Sequence, residues 1–286
     1  MKPIIYTSEW LRDTKSTRVV YDQLCKALEH LGIIHCNLKN TNDYWCRDYM
    51  PVHISNGMYS GYTYNPDYLQ DRPQYITNQE SACRELDLKL LTNMNCVFDG
   101  GNYVRCGNKI IMTDKIITEN AGYPILDLLQ SLQMALGGEI VLLPWDMKDP
   151  CGHIDGMVAD IGNGRILLNN YKQTVHGEDE IFYKRIRKIL EANFEVVELS
   201  YDCRLATDSW CYLNYLHVPG GILLPCLSRD FNSANDCAAI RTFNHIFPDE
   251  EIIPIYARPL VSNGGALHCV TWEYYGYEGK EDGLNK

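Results

Sequence analysis

Three segments of the 286-residue chain lie over one another without a gap at a spacing of 56 residues, and this period constrains the fold more than any single motif. Lys109-Ile-Ile-Met, Arg165-Ile-Leu-Leu and Gly221-Ile-Leu-Leu are short apolar runs behind Gly or Asn-Gly turns, the pattern of buried strands. Pro124 to Leu136, Glu178 to Ala192 and Asn235 to Phe247 then carry apolar residues near i, i+3, i+4 and i+7, as an amphipathic helix does. A second strand begins at Glu139, Glu195 and Glu251. Two looser copies precede these three. The first is Ile4-Ile-Tyr, a helix from about Thr17 to His30 and the strand Ile33-Ile-His-Cys; the other is Met58-Tyr-Ser-Gly-Tyr, a weaker helix around Gln79 to Leu86 and a strand from Leu88 to Leu91.

One strand-helix-strand unit cannot bury both of its apolar faces, so five of them must pack together, and closing them into a ring leaves no exposed end. The expectation is an α/β fold, a single domain over residues 1–286 forming a five-fold pseudosymmetric α/β propeller. Its units run approximately over 1–48, 49–102, 103–155, 156–214 and 215–277, with a short polar tail. A doubly wound open sheet also alternates strand and helix, but it requires no fixed period, and no Gly-x-Gly-x-x-Gly turn occurs. Asn65 to Tyr75 is a Pro-containing polar loop with no assigned role.

Each unit ends in an unusually polar motif: Asn42 to Asp48, Phe98 to Asn102, Gly152 to Asp155, Tyr212 to Asn214, and Gly264 to Cys269. Equivalent positions of a closed ring face one centre, so residues some fifty positions apart would meet there: the carboxylates of Asp48, Asp99 and Asp155, the imidazole of His153, the amide of Asn214 and the thiol of Cys269. A thiol with a histidine can act as a nucleophile, yet neighbouring carboxylates oppose its ionisation. A cationic substrate resolves the conflict. The planar N–H pairs of a guanidinium match Asp48 and Asp155, and its charge beside Cys269 favours the thiolate. If His153-Ile-Asp155 is extended, both side chains project to one face; by the same geometry His268 and Cys269 point apart, which leaves His268 a packing role.

Plainer readings stay open for each residue. Asp48 could pair locally with Arg47, Asp99 could close a tight Asx turn, and Trp45 could be core rather than a cation-π partner. Most of the twelve cysteines sit in apolar runs without a Cys-x-x-Cys pair, so they read as reduced core thiols, and Cys151 with His153, or His268 with Cys269, lacks the paired spacing of structural zinc. No metal or organic cofactor is expected.

The formal net charge of −11 disfavours nucleic acid and anionic membranes as partners. No run of about 18 apolar residues is present, and Glu9 interrupts the first apolar segment too early for a secretory leader, so a cytoplasmic protein is expected.

The motifs TNDYWCRDYMPV, FDGGNYV, CGHIDGMVADI, CYLNYLHVPGGILLP and GGALHCVT resemble, in order from Thr41 to Thr271, those of the agmatine deiminase and bacterial peptidylarginine deiminase family of guanidine-modifying enzymes. That resemblance implies the pentein-type five-fold α/β propeller, with Cys269 as nucleophile, His153 as general acid/base, and Asp48 and Asp155 gripping the guanidinium nitrogens. It implies Asn214 near the nucleophile; Trp45, Asn214 and Asp99 complete the expected substrate contacts. Many relatives carry Glu where this chain has Asp99 and Gly where it has Met50, and the chain is short for the family. Agmatine ranks first among small guanidinium substrates because no secretion signal is evident; arginine follows and would need a partner for its α-carboxylate, such as Arg105, Arg229 or Arg258. Peptidylarginine, methylated arginines and amidino transfer share the first chemical step. A homodimer is the assembly the resemblance implies. A non-catalytic propeller that binds a protein partner and a cysteine protease are the readings of other classes, although carboxylates at the site would repel a protease oxyanion.

Overall fold

A computed structural model of the protein describes residues 2–86, 88–171, 178–201 and 209–276. Cys203 and the tail from residue 277 lie outside them. The described strands are β1 (Ile4–Ser8), β2 (His35–Leu38), β3 (Val52–Ser55), β4 (Met58–Thr63), β5 (Lys89–Val97), β6 (Val104–Cys106), β7 (Lys109–Thr113), β8 (Glu139–Leu143), β9 (Val158–Asp160), β10 (Arg165–Leu168), β11 (Glu195–Glu198), β12 (Leu216–Val218), β13 (Gly221–Cys226), β14 (Glu251–Tyr256) and β15 (Trp272–Tyr274).

They form five sheets of three strands with one repeated plan: a central strand, a parallel neighbour reached through a helix, and a short antiparallel neighbour. The sheets are β15-β1-β2, β3-β4-β5, β6-β7-β8, β9-β10-β11 and β12-β13-β14. Lys109 pairs with Glu139, Arg165 with Glu195 and Gly221 with Glu251, and Ile5 with His35, so the same 30-residue offset recurs in four sheets. In the remaining sheet β5 bulges against β4, which is why its copy of the period reads poorly.

Apolar patterning explains the elements. Central strands β10 and β13 are buried almost throughout, and the helix Arg18–His30 turns Val20, Leu24, Ala27 and Leu28 inward. Burying each of Val20, Leu24 and Leu28 contributes about 1.5–3 kcal/mol. Helix Ile125–Leu136 stops at Gly137, whose φ of 63° suits a left-handed C-terminal residue, and helix Ala234–Ile246 starts at Ser233, whose hydroxyl accepts from Asp236 N.

The structure departs from the sequence-based expectation at several points, among them β5, which runs on to Val97 where the sequence places the end of the strand at Leu91. The weak helix ends at Cys83 rather than Leu86, β2 begins at His35 rather than Ile33, and every sheet has the additional antiparallel strand. That strand follows each polar motif directly and returns the chain into the next unit; after the fifth motif, β15 pairs with β1. Described cysteines are free thiols. Among the described residues no helix is long and apolar enough to cross a membrane.

Candidate active site

The polar motifs occupy short turns between a parallel strand and the next antiparallel strand: Cys46–Tyr49, Gly100–Asn102, Ile154–Gly156, Ser209–Leu213 and the turn before β15. These turns touch in chain order, and the last meets the first. His268 N donates to Asn214 O at 3.1 Å, and Arg47 N donates to Cys269 O at 3.1 Å.

The glycines of Asp99-Gly-Gly-Asn102 are there for close approach. A Cβ on Gly100 would lie 2.0 Å from Arg47 O, and one on Gly101 would lie 2.4 Å from His153 Nδ1 and 2.7 Å from Asp48 Oδ1. The Asp-Gly-Gly sequence thus lets a backbone pass against the imidazole and the first carboxylate.

His153 sits between two carboxylates, its Nε2 donating to Asp99 Oδ2 at 3.0 Å and its Nδ1 lying 3.6 Å from Asp48 Oδ1. Burial opposes its positive charge, but Asp48, Asp99 and Asp155 outweigh it and hold the imidazole pKa well above its ordinary value. Burial, with Asp99 and Asp155, pushes the Asp48 carboxyl up to about 8 against the pull of His153. Asp155 moves the other way: burial alone would raise it, yet the hydrogen bond from His268, with His153 and Arg47, lowers it. Burial, then Asp155 and Asp48, raises the Cys269 thiol well above its ordinary value.

Cys269 Sγ lies 3.7 Å from Asp155 Oδ2, and Asn214 Oδ1 accepts from Cys269 N at 3.3 Å. Asp48, Asp99, His153, Asp155, Asn214 and Cys269 are all buried. Trp45 is half-buried and lies over Gly265, where an added Cβ would meet its ring at 2.2 Å. Within the cluster Asp48 Oδ1, Asp99 Oδ1 and Asn214 Nδ2 are buried without a hydrogen-bond partner. Two orphaned acceptors beside a protonated imidazole are an arrangement that a planar cation with N–H groups would satisfy.

Two geometric expectations are corrected. Residues 154–156 form a 3-10 turn rather than a strand, and residues 267–270 form a turn in which His268 and Cys269 do not point apart. His268 has no packing role: its Nδ1 donates to Asp155 Oδ2 at 2.7 Å, the same oxygen that Cys269 approaches, and its side chain is 25% exposed. The local Arg47–Asp48 pair does not form either, because Arg47 pairs with Glu273 of β15 at 2.6 Å.

Sequence reasoning places a loop at Asn65–Tyr75 but gives it no role at the site. Tyr68 sets its ring edge-on to His153 at 6.1 Å, and its hydroxyl is buried without a partner. Asp67 beside it holds the buried Lys115 at 2.5 Å; Glu119 holds the same ammonium at 3.1 Å, and Tyr68 and Trp145 cover it. The signal available was a polar loop with two prolines that breaks the repeat.

Solved structures share this architecture. A provisionally named arginine deiminase of Porphyromonas gingivalis superposes with a TM-score of 0.70 at 21% identity, over 96% of this chain and 95% of that one. Agmatine deiminase of C. jejuni, alone or with substrate bound, gives a TM-score of 0.70 at 17% identity over 97% and 94% of the two chains. The fold is therefore the α/β fold of deiminases. Residues 5–274 match the model of the Porphyromonas-type peptidyl-arginine deiminase family, and the chain belongs to that family. A provisionally named agmatine deiminase of Streptomyces coelicolor is 23% identical over 261 residues, 82% of this chain and 76% of that protein.

Proposed function

We propose that the protein hydrolyses a small guanidinium compound to a ureido product and ammonia, with agmatine the first candidate, and that the five sheets are the blades of a closed propeller around the reacting cluster. One observation carries the reading above all: a thiol, an imidazole and three carboxylates drawn from four distant unit ends converge in a buried cluster whose free carboxylate oxygens await N–H donors.

In this reading Asp48 and Asp155 grip the guanidinium nitrogens, the unpartnered Asp99 Oδ1 can take a further N–H, and Trp45 lies against the substrate. The bound cation offsets the carboxylates that suppress the Cys269 thiolate, so the nucleophile ionises when its substrate arrives. Sulfur bonds to the guanidinium carbon, the bond to one nitrogen breaks, and His153 gives that nitrogen a proton as ammonia leaves. His153, now neutral, takes a proton from water; the resulting hydroxide attacks the carbon, and the carbon–sulfur bond breaks to release the ureido product. Asp99 orients His153 throughout.

Charge also ranks the substrates. Asp43 lies close enough to Asp48 to raise its pKa, and burial lifts Asp43 itself to about 6. A tail carrying a carboxylate would meet these acids, whereas the ammonium tail of agmatine would not be repelled. Arg105 already bonds the carbonyl oxygens of Leu136 and Gly137, and Arg229 lies over the Tyr256 ring at 4.9 Å. Neither is free as a clamp for the α-carboxylate of arginine, and the relatives that bear the agmatine deiminase name point the same way.

The test is ammonia and ureido-product release across agmatine, arginine, methylated arginines and an arginine-containing peptide. Agmatine is expected to give the highest kcat/KM. Release of neither product from any of the four would refute the reading.

Two further results are expected. Because Asp48 holds a proton below about 8 in the free protein, cation binding must expel it, so kcat/KM should rise with pH through that value and keep rising, less steeply, as the raised Cys269 thiol ionises. The limb of kcat should lie at lower pH, since the bound cation favours the carboxylate; superimposable limbs would contradict this. Gly101→Ala should displace His153 and lower kcat on the order of 10²-fold, while costing only about 1–3 kcal/mol of stability in urea unfolding.

A further inference from the structure

A cavity of about 340 Å³ adjoins the reacting cluster but is not lined by Cys269, His153, Asp48 or Asp99. Its walls come from the antiparallel strands and the turns beside them, and Asp155, Arg47 and His268 are among its lining residues. Asp155 Oδ2 is shared: Cys269 Sγ approaches it at 3.7 Å, and His268 Nδ1 donates to it at 2.7 Å.

The consequence is electrostatic. When the thiol ionises, its S–H bond breaks, the electron pair stays on sulfur and solvent takes the proton, leaving an anion beside the Asp155 carboxylate. Each neighbouring positive group already has a carboxylate partner: Arg47 faces Glu273, and His153 lies between Asp48 and Asp99. His153 and Arg47 act on Asp155 from a distance, whereas His268 is the group that hydrogen-bonds it, at 2.7 Å from the cavity side. Other charged or titratable groups facing it are Arg47 and Glu273 and, along the cavity wall, His53, Arg105, Asp160 and His217.

We infer that His268 is a positioning residue which, by holding Asp155 Oδ2 from the cavity side, offsets that carboxylate and sets how readily Cys269 ionises. The cavity gives solvent and small solutes access to this control. The inference rests on the proposed role of Cys269 but is tested without turnover.

The experiment follows alkylation of Cys269 by iodoacetamide against pH, read as the modified Cys269 peptide by mass spectrometry, in the full chain. His268→Asn keeps an N–H donor for Asp155 but cannot carry charge. The Cys269 pKa is expected to rise by about one unit in this variant, a tenfold loss of thiolate below that pKa. His268→Ala should behave likewise, and millimolar imidazole should restore its alkylation rate because the cavity admits the ring. An unchanged Cys269 titration in folded His268→Asn overturns the inference, and failure of imidazole to restore folded His268→Ala overturns access through the cavity. If either titration shifts while no guanidinium is turned over, the proposed reaction fails and the electrostatic role stands.

Discussion

Cys269→Ala is expected to be a folded protein that releases no measurable ammonia from agmatine, a loss on the order of 10⁴-fold or more. The substitution deletes one sulfur atom from a buried site. Its backbone bonds to Asn214 and Arg47 remain, and the space left is small, so the stability cost should be about 1 kcal/mol. Nothing else nearby replaces the nucleophile. Cys46 is wholly buried beneath Tyr6 O, and burial, with Asp149, Asp48 and Asp99, raises the thiol of Cys151 far out of the reactive range. Wild-type ammonia release by a variant with unchanged circular dichroism would remove Cys269 from the mechanism.

His153→Gln should lower kcat by about 10²–10⁴-fold, because one residue supplies the proton to ammonia and later takes one from water. The amide can still donate to Asp99, so the fold should survive. It cannot carry charge, however, and Asp48 and Asp99 would then face each other without the cation between them. The Asp48 carboxyl, which His153 pulls down, should climb further, moving the rising limb of kcat/KM to higher pH. A variant with reduced kcat but an unmoved limb would show that His153 does not lower the Asp48 pKa.

The repeat was legible because a fixed period survives in apolar patterning even where identities differ, and the motifs at the unit ends stood out as polar residues where a buried turn was due. Cys269, His153, Asp48, Asp99, Asp155 and Asn214 could be picked out in this way. What the sequence hid is short or non-local. Strands of three residues such as β6, β9, β12 and β15 are too brief for a period of two to show. The turn at residues 267–270 has no signature that separates it from a strand, and strand alternation sets His268 on the wrong side. The Arg47–Glu273 pair spans 226 positions, and no local pattern links its partners. Tyr68 lies in the Asn65–Tyr75 loop, which belongs to none of the strands and helices that carry the period.

The most direct measurement is the covalent state of Cys269 during turnover. Acid quench of the wild-type protein within milliseconds of mixing with agmatine, followed by peptide mass analysis, should find Cys269 carrying the amidino carbon of the substrate and its tail, less one ammonia. The adduct should be absent from Cys269→Ala and should disappear as the ureido product forms. Steady ammonia release with Cys269 unmodified at every time point, under conditions where the acid-quenched adduct of a slow substrate is stable, would contradict nucleophilic attack by this thiol.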